Sequence, residues 1–257
     1  MPHQRERFER TDVPKENPHR TQIALAVIAA VFIGTAIIVS SLWSRAQAES
    51  HLGDSGLSSS INSASSVSDL GYQTSSDTFT NVLLLTSDTL NSTDSGGTTL
   101  VSAELLVFDA TTNTGSLVSI PVETAVTYNG TEQTLGELFN ASGAKACVSP
   151  VVSATNISIS HVIVSTSDVW DEVASLSGMG ASSLVSRASD FLASIYTDMD
   201  STGLLDLAEK VNSAGTDNLQ RIDAPTTDEV DDSGASTGRK LIDQVSLGLS
   251  VGTLVQS

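Results

Sequence analysis

The chain is short of several things that would narrow its chemistry. It has a single cysteine among 257 residues, Cys147, so no intramolecular disulfide framework is available. A lone cysteine of this kind reads as a small buried core residue. Aromatic residues make up only 4% of the chain, which leaves Val, Leu, Ile and Ala to build the core. Cations are scarce as well: 12 Lys and Arg stand against 30 Asp and Glu, for a net charge of −18. Such a chain repels phosphate backbones, which excludes nucleic acid as a partner, and it favours solubility, cations or basic partners. There is no zinc-ligand spacing, P-loop or dinucleotide fingerprint.

The few cations are unevenly spread. Half of the twelve (Arg5, Arg7, Arg10, Lys15, Arg20 and Arg45) lie in the first 45 residues. Residues 1–22 are polar and mixed in charge and read as a cytoplasmic tail. Residues 23–43 contain no ionisable side chain, and their length is that of a single transmembrane helix. Arg20 precedes this stretch and Trp43 ends it, so the positive-inside rule places the N-terminus in the cytoplasm and the bulk outside. Ala46-Gln47-Ala48 resembles a signal-peptidase site, but the apolar run is longer than a secretory h-region, and an uncleaved anchor is the reading. Residues 44–79 are rich in Ser and Gly and read as a flexible extracytoplasmic stalk. Within them, Gly53-Asp54-Ser55-Gly56 resembles a serine-protease nucleophile segment. A linker offers no packed site and no matching histidine segment exists, so protease chemistry is excluded.

Residues 80–257 carry the folded domain. Asn81 to Asp88, Leu100 to Asp109 and Ser116 to Glu123 are apolar runs bounded by turn residues and are predicted strands. The composition of Thr111 to Gly115 joins the second and third in an antiparallel hairpin. Ala125 to Tyr128 is a predicted strand before an Asn129-Gly130 turn. Helices are predicted from Leu135, over 168–176 behind a Ser167-Asp168 cap, over 183–196 and over 202–211. A strand is expected over 157–165, where His161 reads as a partly buried, hydrogen-bonded imidazole, and another over 218–223. Residues 226–237 read as an acidic loop and 240–249 as a last helix. The fold class is α/β, a mixed β-sheet flanked by helices. Carboxylates at strand ends, Asp88 and Glu123, fall where open α/β sheets keep their sites.

Thr86-Ser87-Asp88 and Ser119-Ile120-Pro121-Val122-Glu123, in this order and spacing, resemble the LytR-CpsA-Psr (LCP) family of bacterial envelope proteins. That family ends its first strand in Gly-Ser-Asp and its third in Ser-Ile-Pro-Arg-Asp, with an Arg-x-Asp-Thr segment between them. The resemblance implies transfer of a glycopolymer from a polyprenyl-pyrophosphate carrier to peptidoglycan. In that reaction arginines clamp the phosphates and carboxylates hold Mg2+. Residue by residue, Asp88 matches the first carboxylate and would be the magnesium ligand. The Arg-x-Asp positions fall near Thr99 to Val101 with neither charge present. Val122 stands where the second arginine would, and Glu123 matches its aspartate. A later arginine-bearing segment is missing; Arg187 is its one candidate substrate-binding remnant. Removing clamp arginines costs several charge-assisted bonds, so Asp88 and Glu123 read as catalytic remnants rather than a working pair, and a strand-end carboxylate that caps a helix or turn is the favoured reading of each.

A second pattern is independent of the family. Asp198, Asp200, Thr202, Asp206 and Glu209, with Gly203 between them, follow the spacing of an EF-hand calcium loop. The competing reading is a helix starting near Thr202 with carboxylates at its N-terminus. The expectation is therefore a membrane-anchored, extracytoplasmic LCP-like domain. It acts as a catalytically degenerate binding or scaffold module for a polyprenyl-linked glycopolymer, peptidoglycan or another envelope protein. The alternative is an active phosphotransferase, using Mg2+, whose arginines come from elsewhere in the fold.

Overall fold

The computed structural model describes residues 51–64, 66–167, 194–214 and 219–255. The predicted tail (1–22), the transmembrane stretch (23–43), Arg187 and most of the predicted helices over 168–176 and 183–196 lie outside them. Among the described residues no helix is long and apolar enough to cross a membrane.

The sheet is organised around β3 (Phe79–Ser87), whose residues from Asn81 onward are all buried. Alternate side chains serve two cores. Leu83 and Leu85 join a cluster on one face, while Val82 and Leu84 are buried on the other. A strand covered on both sides carries a near-continuous apolar run, which is why Asn81 to Leu85 does not alternate. β4 (Leu100–Asp109) pairs antiparallel with β3, from Phe79↔Asp109 to Ser87↔Leu100, with a register shift at Thr86/Ser87. β5 (Thr114–Ile120) pairs antiparallel with β4. The predicted hairpin between them is present. Its turn is set by Asp109, which accepts the backbone N–H of Thr111 at 2.7 Å, and by Asn113 at φ 57°.

A second hairpin, β6 (Ala125–Tyr128) and β7 (Thr131–Thr134), turns at Asn129 and Gly130, with φ 50° and 77°, the pair of positive φ values that a type I′ turn requires. Thr134 then opens α2 (Leu135–Ser142) through a reciprocal capping box with Glu137. α3 (Ala144–Thr155) follows at once and runs through Pro150. Gly143, between the two helices, has φ 77° and no room for a side chain, because a Cβ would lie 2.7 Å from the Thr93 carbonyl oxygen.

β8 (His161–Thr166) lies parallel to β3 on its other side, and β9 (Ile195–Thr197) is antiparallel to β8. α4 (Ser201–Ala214) covers the second face, burying Leu204, Leu207 and Val211 at helical spacing. β10 (Leu219–Asp223) closes the sheet parallel to β5.

Four expectations are corrected here. The stretch 44–79 is not a stalk throughout: β1 (His51–Leu52) pairs parallel with β9, completing the seven-stranded order β1-β9-β8-β3-β4-β5-β10. Behind β1, α1 (Ser55–Asn62) places Leu57, 0% exposed, in the main core. Asp54, in the protease-like tetrad, is that helix's N-cap, accepting N–H groups of Gly56 and Leu57 at 2.7 and 3.0 Å. Further on, β2 (Gln73–Thr74) pairs with β13 (Leu254–Val255). The predicted helix over 183–196 ends in strand, since Ile195 and Tyr196 belong to β9. The acidic loop over 226–237 is a hairpin of β11 (Thr226–Val230) and β12 (Ser236–Ile242). Finally, the last helix starts at Gln244, not Lys240: α5 (Gln244–Ser250) is capped by Asp243.

Candidate functional site

β3, β5, β8 and β10 run in one direction, so their C-terminal ends gather on one edge of the sheet. Asp88 follows β3 there, and Glu123 stands three residues beyond the end of β5. This is the edge where a parallel arrangement of strands offers a site, and it brings both sequence-predicted carboxylates to the same side.

Asp88 is exposed and already occupied structurally. Its Oδ1 accepts the backbone N–H of Thr99 at 2.9 Å and the Thr89 hydroxyl at 3.2 Å. Its own N–H donates to the Thr99 carbonyl at 3.0 Å. The Thr99 N–H in particular holds its carboxyl below the usual carboxylate range. Asp88 thus staples the two ends of the β3–β4 loop. The loop packs down on the α2–α3 junction: the Gly97 N–H donates to the Asn140 carbonyl at 2.7 Å and that of Lys145 to Thr93 at 3.0 Å.

Glu123 is exposed, beside a tight turn in which Thr124 donates its N–H to the Pro121 carbonyl at 3.0 Å. Val122, at the position of the resembled arginine, is partly buried and packs against the main core. Its carbonyl accepts the Gly136 N–H at 2.9 Å. Of the other positions, Leu100 is buried and Thr99 and Val101 are exposed. No guanidinium stands at any of them.

The described arginines are engaged elsewhere. Arg221, on β10, reaches across β5 to pair with Glu104 of β4. Burial pushes the Glu104 carboxyl up, and Arg221 partly offsets that. Arg239, on β12, pairs with Glu229 and, at 3.3 Å, with Glu132. β12 does lie next to the candidate edge, since the Lys240 N–H donates to the Glu123 carbonyl at 3.0 Å, but the Lys240 ammonium pairs with Asp228. This neighbourhood was not legible as long as 226–237 read as a loop; the Asp232-Ser233-Gly234 turn composition was the available signal.

The calcium reading is corrected. An EF-hand loop needs its first nine or so residues free to wrap a cation, and helix α4 begins at Ser201 and is unbroken through Asp206 and Glu209. Asp200 caps it by accepting the Gly203 N–H at 2.8 Å. Asp198 turns away to β8, accepting the Val162 N–H at 2.7 Å and pairing with His161 Nδ1 at 2.8 Å. That pair also bears out the reading of His161 as a hydrogen-bonded strand residue. Among the described residues no group of three His, Cys, Asp or Glu side chains is arranged to hold a metal ion.

No family model and no curated protein matches the chain. Solved structures do. The transcriptional regulator yvhJ from Bacillus subtilis superposes with a TM-score of 0.51 at 13% identity, covering 68% of this chain and 94% of that one. Protein gbs0355 from Streptococcus agalactiae gives 0.50 at 9% identity, over 69% and 92%. B. subtilis TagT gives 0.46 at 15% identity, over 71% and 90%. The chain shares the fold of yvhJ and gbs0355; at these identities the likeness concerns the fold alone.

Proposed function

We propose that the chain is an envelope module built on an LCP-like domain: anchored by residues 23–43, facing outward, and binding or organising a wall glycopolymer without performing its transfer. One observation carries the loss of chemistry. Among the described residues no guanidinium is paired with Asp88 or Glu123 at the strand-end edge, and both described arginines are bound to glutamates. A pyrophosphate brought to that edge meets carboxylates first. Magnesium at Asp88 would offset part of this charge, but in-line transfer also requires donors on the leaving phosphate.

The reading that keeps activity has one feature in its favour, the passage of β12 beside Glu123. Arg239 or Lys240 would have to exchange Glu229 or Asp228 for a substrate phosphate, and each exchange leaves an unpaired carboxylate behind. That makes it the weaker reading.

The test is a titration of the full chain in lipid nanodiscs with a polyprenyl-pyrophosphate analogue, with and without Mg2+, read by thermal shift and by release of a labelled carrier. Stabilisation without turnover and without dependence on Asp88→Ala supports a binding module. Magnesium-dependent stabilisation lost in Asp88→Ala, with carrier released, overturns it in favour of the transferase.

A further inference from the structure

The opposite edge of the sheet, where β3 begins, holds a groove of about 540 Å3, a size typical of ligand pockets (~300–1,000 Å3). Seven residues of extended strand between Asn81 and Asp88 put it roughly 23 Å from the strand-end carboxylates. One wall is the strap of residues 67–75 between α1 and β3. Few bonds hold the strap down. Asn156 clamps it, its Oδ1 accepting the Ser68 N–H at 2.6 Å and its Nδ2 donating to the Ser68 carbonyl at 3.0 Å. Beyond that, the two-residue pairing of β2 with β13 and the Ser75 N–H, which donates to the Thr253 carbonyl at 3.0 Å, secure its far end.

The lining selects a class of ligand by elimination. It contains no Lys, Arg or His, and Asp69 is its one side chain that is charged at neutral pH, so phosphate and carboxylate ligands have no counter-charge there. Nine of the fifteen lining residues carry polar side chains, yet the exposed lining is more apolar than polar, a mixture that fits a ligand with both an apolar face and hydroxyls. Tyr72 and Val67 stand 44% and 46% exposed at the rim, an apolar and aromatic surface unusual for a purely solvated cleft. Under the strap, Asn81 is 3% exposed and donates Nδ2–H to the Ser158 carbonyl at 2.8 Å, leaving Oδ1 without a partner. An orphaned buried acceptor beside a weakly held strap is a place for a hydroxyl donor.

We propose that this groove binds a neutral sugar segment of a glycan. The pyranose C–H face stacks on Tyr72, and its hydroxyls bond to Gln73, Ser158 and, as the strap lifts, Asn81 Oδ1. The inference deepens the proposed function by placing saccharide recognition away from the strand-end edge, and it rests on that function for its setting only.

The test uses the full chain in nanodiscs, titrated with two neutral probes, chitotetraose and maltotetraose, by calorimetry and saturation-transfer NMR. The expected result is saturable binding of one probe below about 1 mM, weakened at least about tenfold by Tyr72→Ala and unchanged by Asp88→Ala. Because Tyr72 is half exposed, its removal should leave the melting temperature in place. Asn81→Asp serves as a second variant that alters the acceptor beneath the strap. The proposal is overturned if neither probe binds at about 10 mM, if binding ignores both Tyr72 and Asn81, or if a short apolar peptide competes fully while sugars do not. Saccharide binding is independent of the pyrophosphate titration at Asp88, so failure of one leaves the other standing.

Discussion

The segment between the apolar stretch and β3 offers the sharpest test, because composition calls it a stalk and the fold uses it as core. Leu57 is 0% exposed in the cluster that also holds Leu83, Leu85, Cys147 and Val148. Truncating a leucine so placed removes its transfer energy and leaves a cavity, at about 3–5 kcal/mol. For a domain of about 200 residues each kcal/mol moves the melting temperature by about 2–4 °C, so Leu57→Ala should melt roughly 6–20 °C lower. Asp54→Ala should cost about 1–2 kcal/mol, since the carboxylate caps α1 and its Oδ2 also accepts the Thr93 hydroxyl at 2.9 Å. The assay is a circular-dichroism melt of a fragment beginning just before His51, beside one beginning at Asp77, which lacks β1 and α1. A flexible tether would tolerate Leu57→Ala within about 0.5 kcal/mol. If the variant melts within a degree or two of the parent, or the shorter part is equally stable, α1 is not part of the core and the argument fails.

Three further outcomes are expected. Arg221→Ala leaves the largely buried Glu104 carboxylate without its counter-charge and should cost about 1–2 kcal/mol, at the low end because Arg221 is 44% exposed. Glu104→Gln should cost less, since burial of the charge is itself unfavourable; urea denaturation showing the reverse order would contradict the assignment. Asp88, Asp231 and Asp243 are held below their ordinary values by the Thr99 N–H and by the Ser233 and Ser246 hydroxyls respectively. A depressed folded-state value stabilises above the unfolded one and loses that contribution as pH falls through the folded one, so the melting temperature should drop below about pH 4. Asp231→Asn should flatten that drop, and an unchanged slope would refute the cause. Burial pushes the Cys147 thiol far up, so it should resist a disulfide exchange reagent in the folded protein and react once denatured; prompt labelling of the native chain would show that α3 does not seal it.

What the sequence revealed tracks how local the determinants are. β3 to β5 were legible because each is an apolar run bounded by turn residues, and the β4–β5 turn carries its instruction in Asp109 and Asn113. The α2 start was less plain, although Thr134 and Glu137 spell a capping box. By contrast, α1 is Ser55-Gly-Leu-Ser-Ser-Ser-Ile-Asn62, a composition with little helical propensity. What makes it a helix is tertiary: a cap at Asp54, and Leu57 inserted over α3. The β11–β12 hairpin hides in the same way, its exposed faces carrying Asp228, Glu229, Arg239 and Lys240 in cross-strand pairs that a charge census reads as solvated loop. The calcium pattern failed for the opposite reason. Its spacing was right, but oxygen ligands at those intervals also suit a helix entered through an aspartate cap, and backbone decides between them.

The candidate site divides along the same line. That Asp88 and Glu123 share an edge follows from the parallel direction of β3 and β5, which the order of the strands already contained. What the edge can do depends on where the cations went, and that is not a local property. Val122 shows this most clearly. An arginine at this position would keep its guanidinium in solvent, whereas valine packs against the core beside a backbone bond from Gly136 to its own carbonyl. The residue that offers no cation to the edge therefore adds apolar burial to the scaffold. Arg221 carries the argument one step further. Its partner Glu104 sits mid-strand on β4, too deep in the sheet to belong to a strand-end site, so the guanidinium is committed to satisfying a carboxylate that the fold has buried. Both arginines among the described residues serve the domain's own glutamates in this way, so offering either guanidinium to a pyrophosphate means breaking an internal pair.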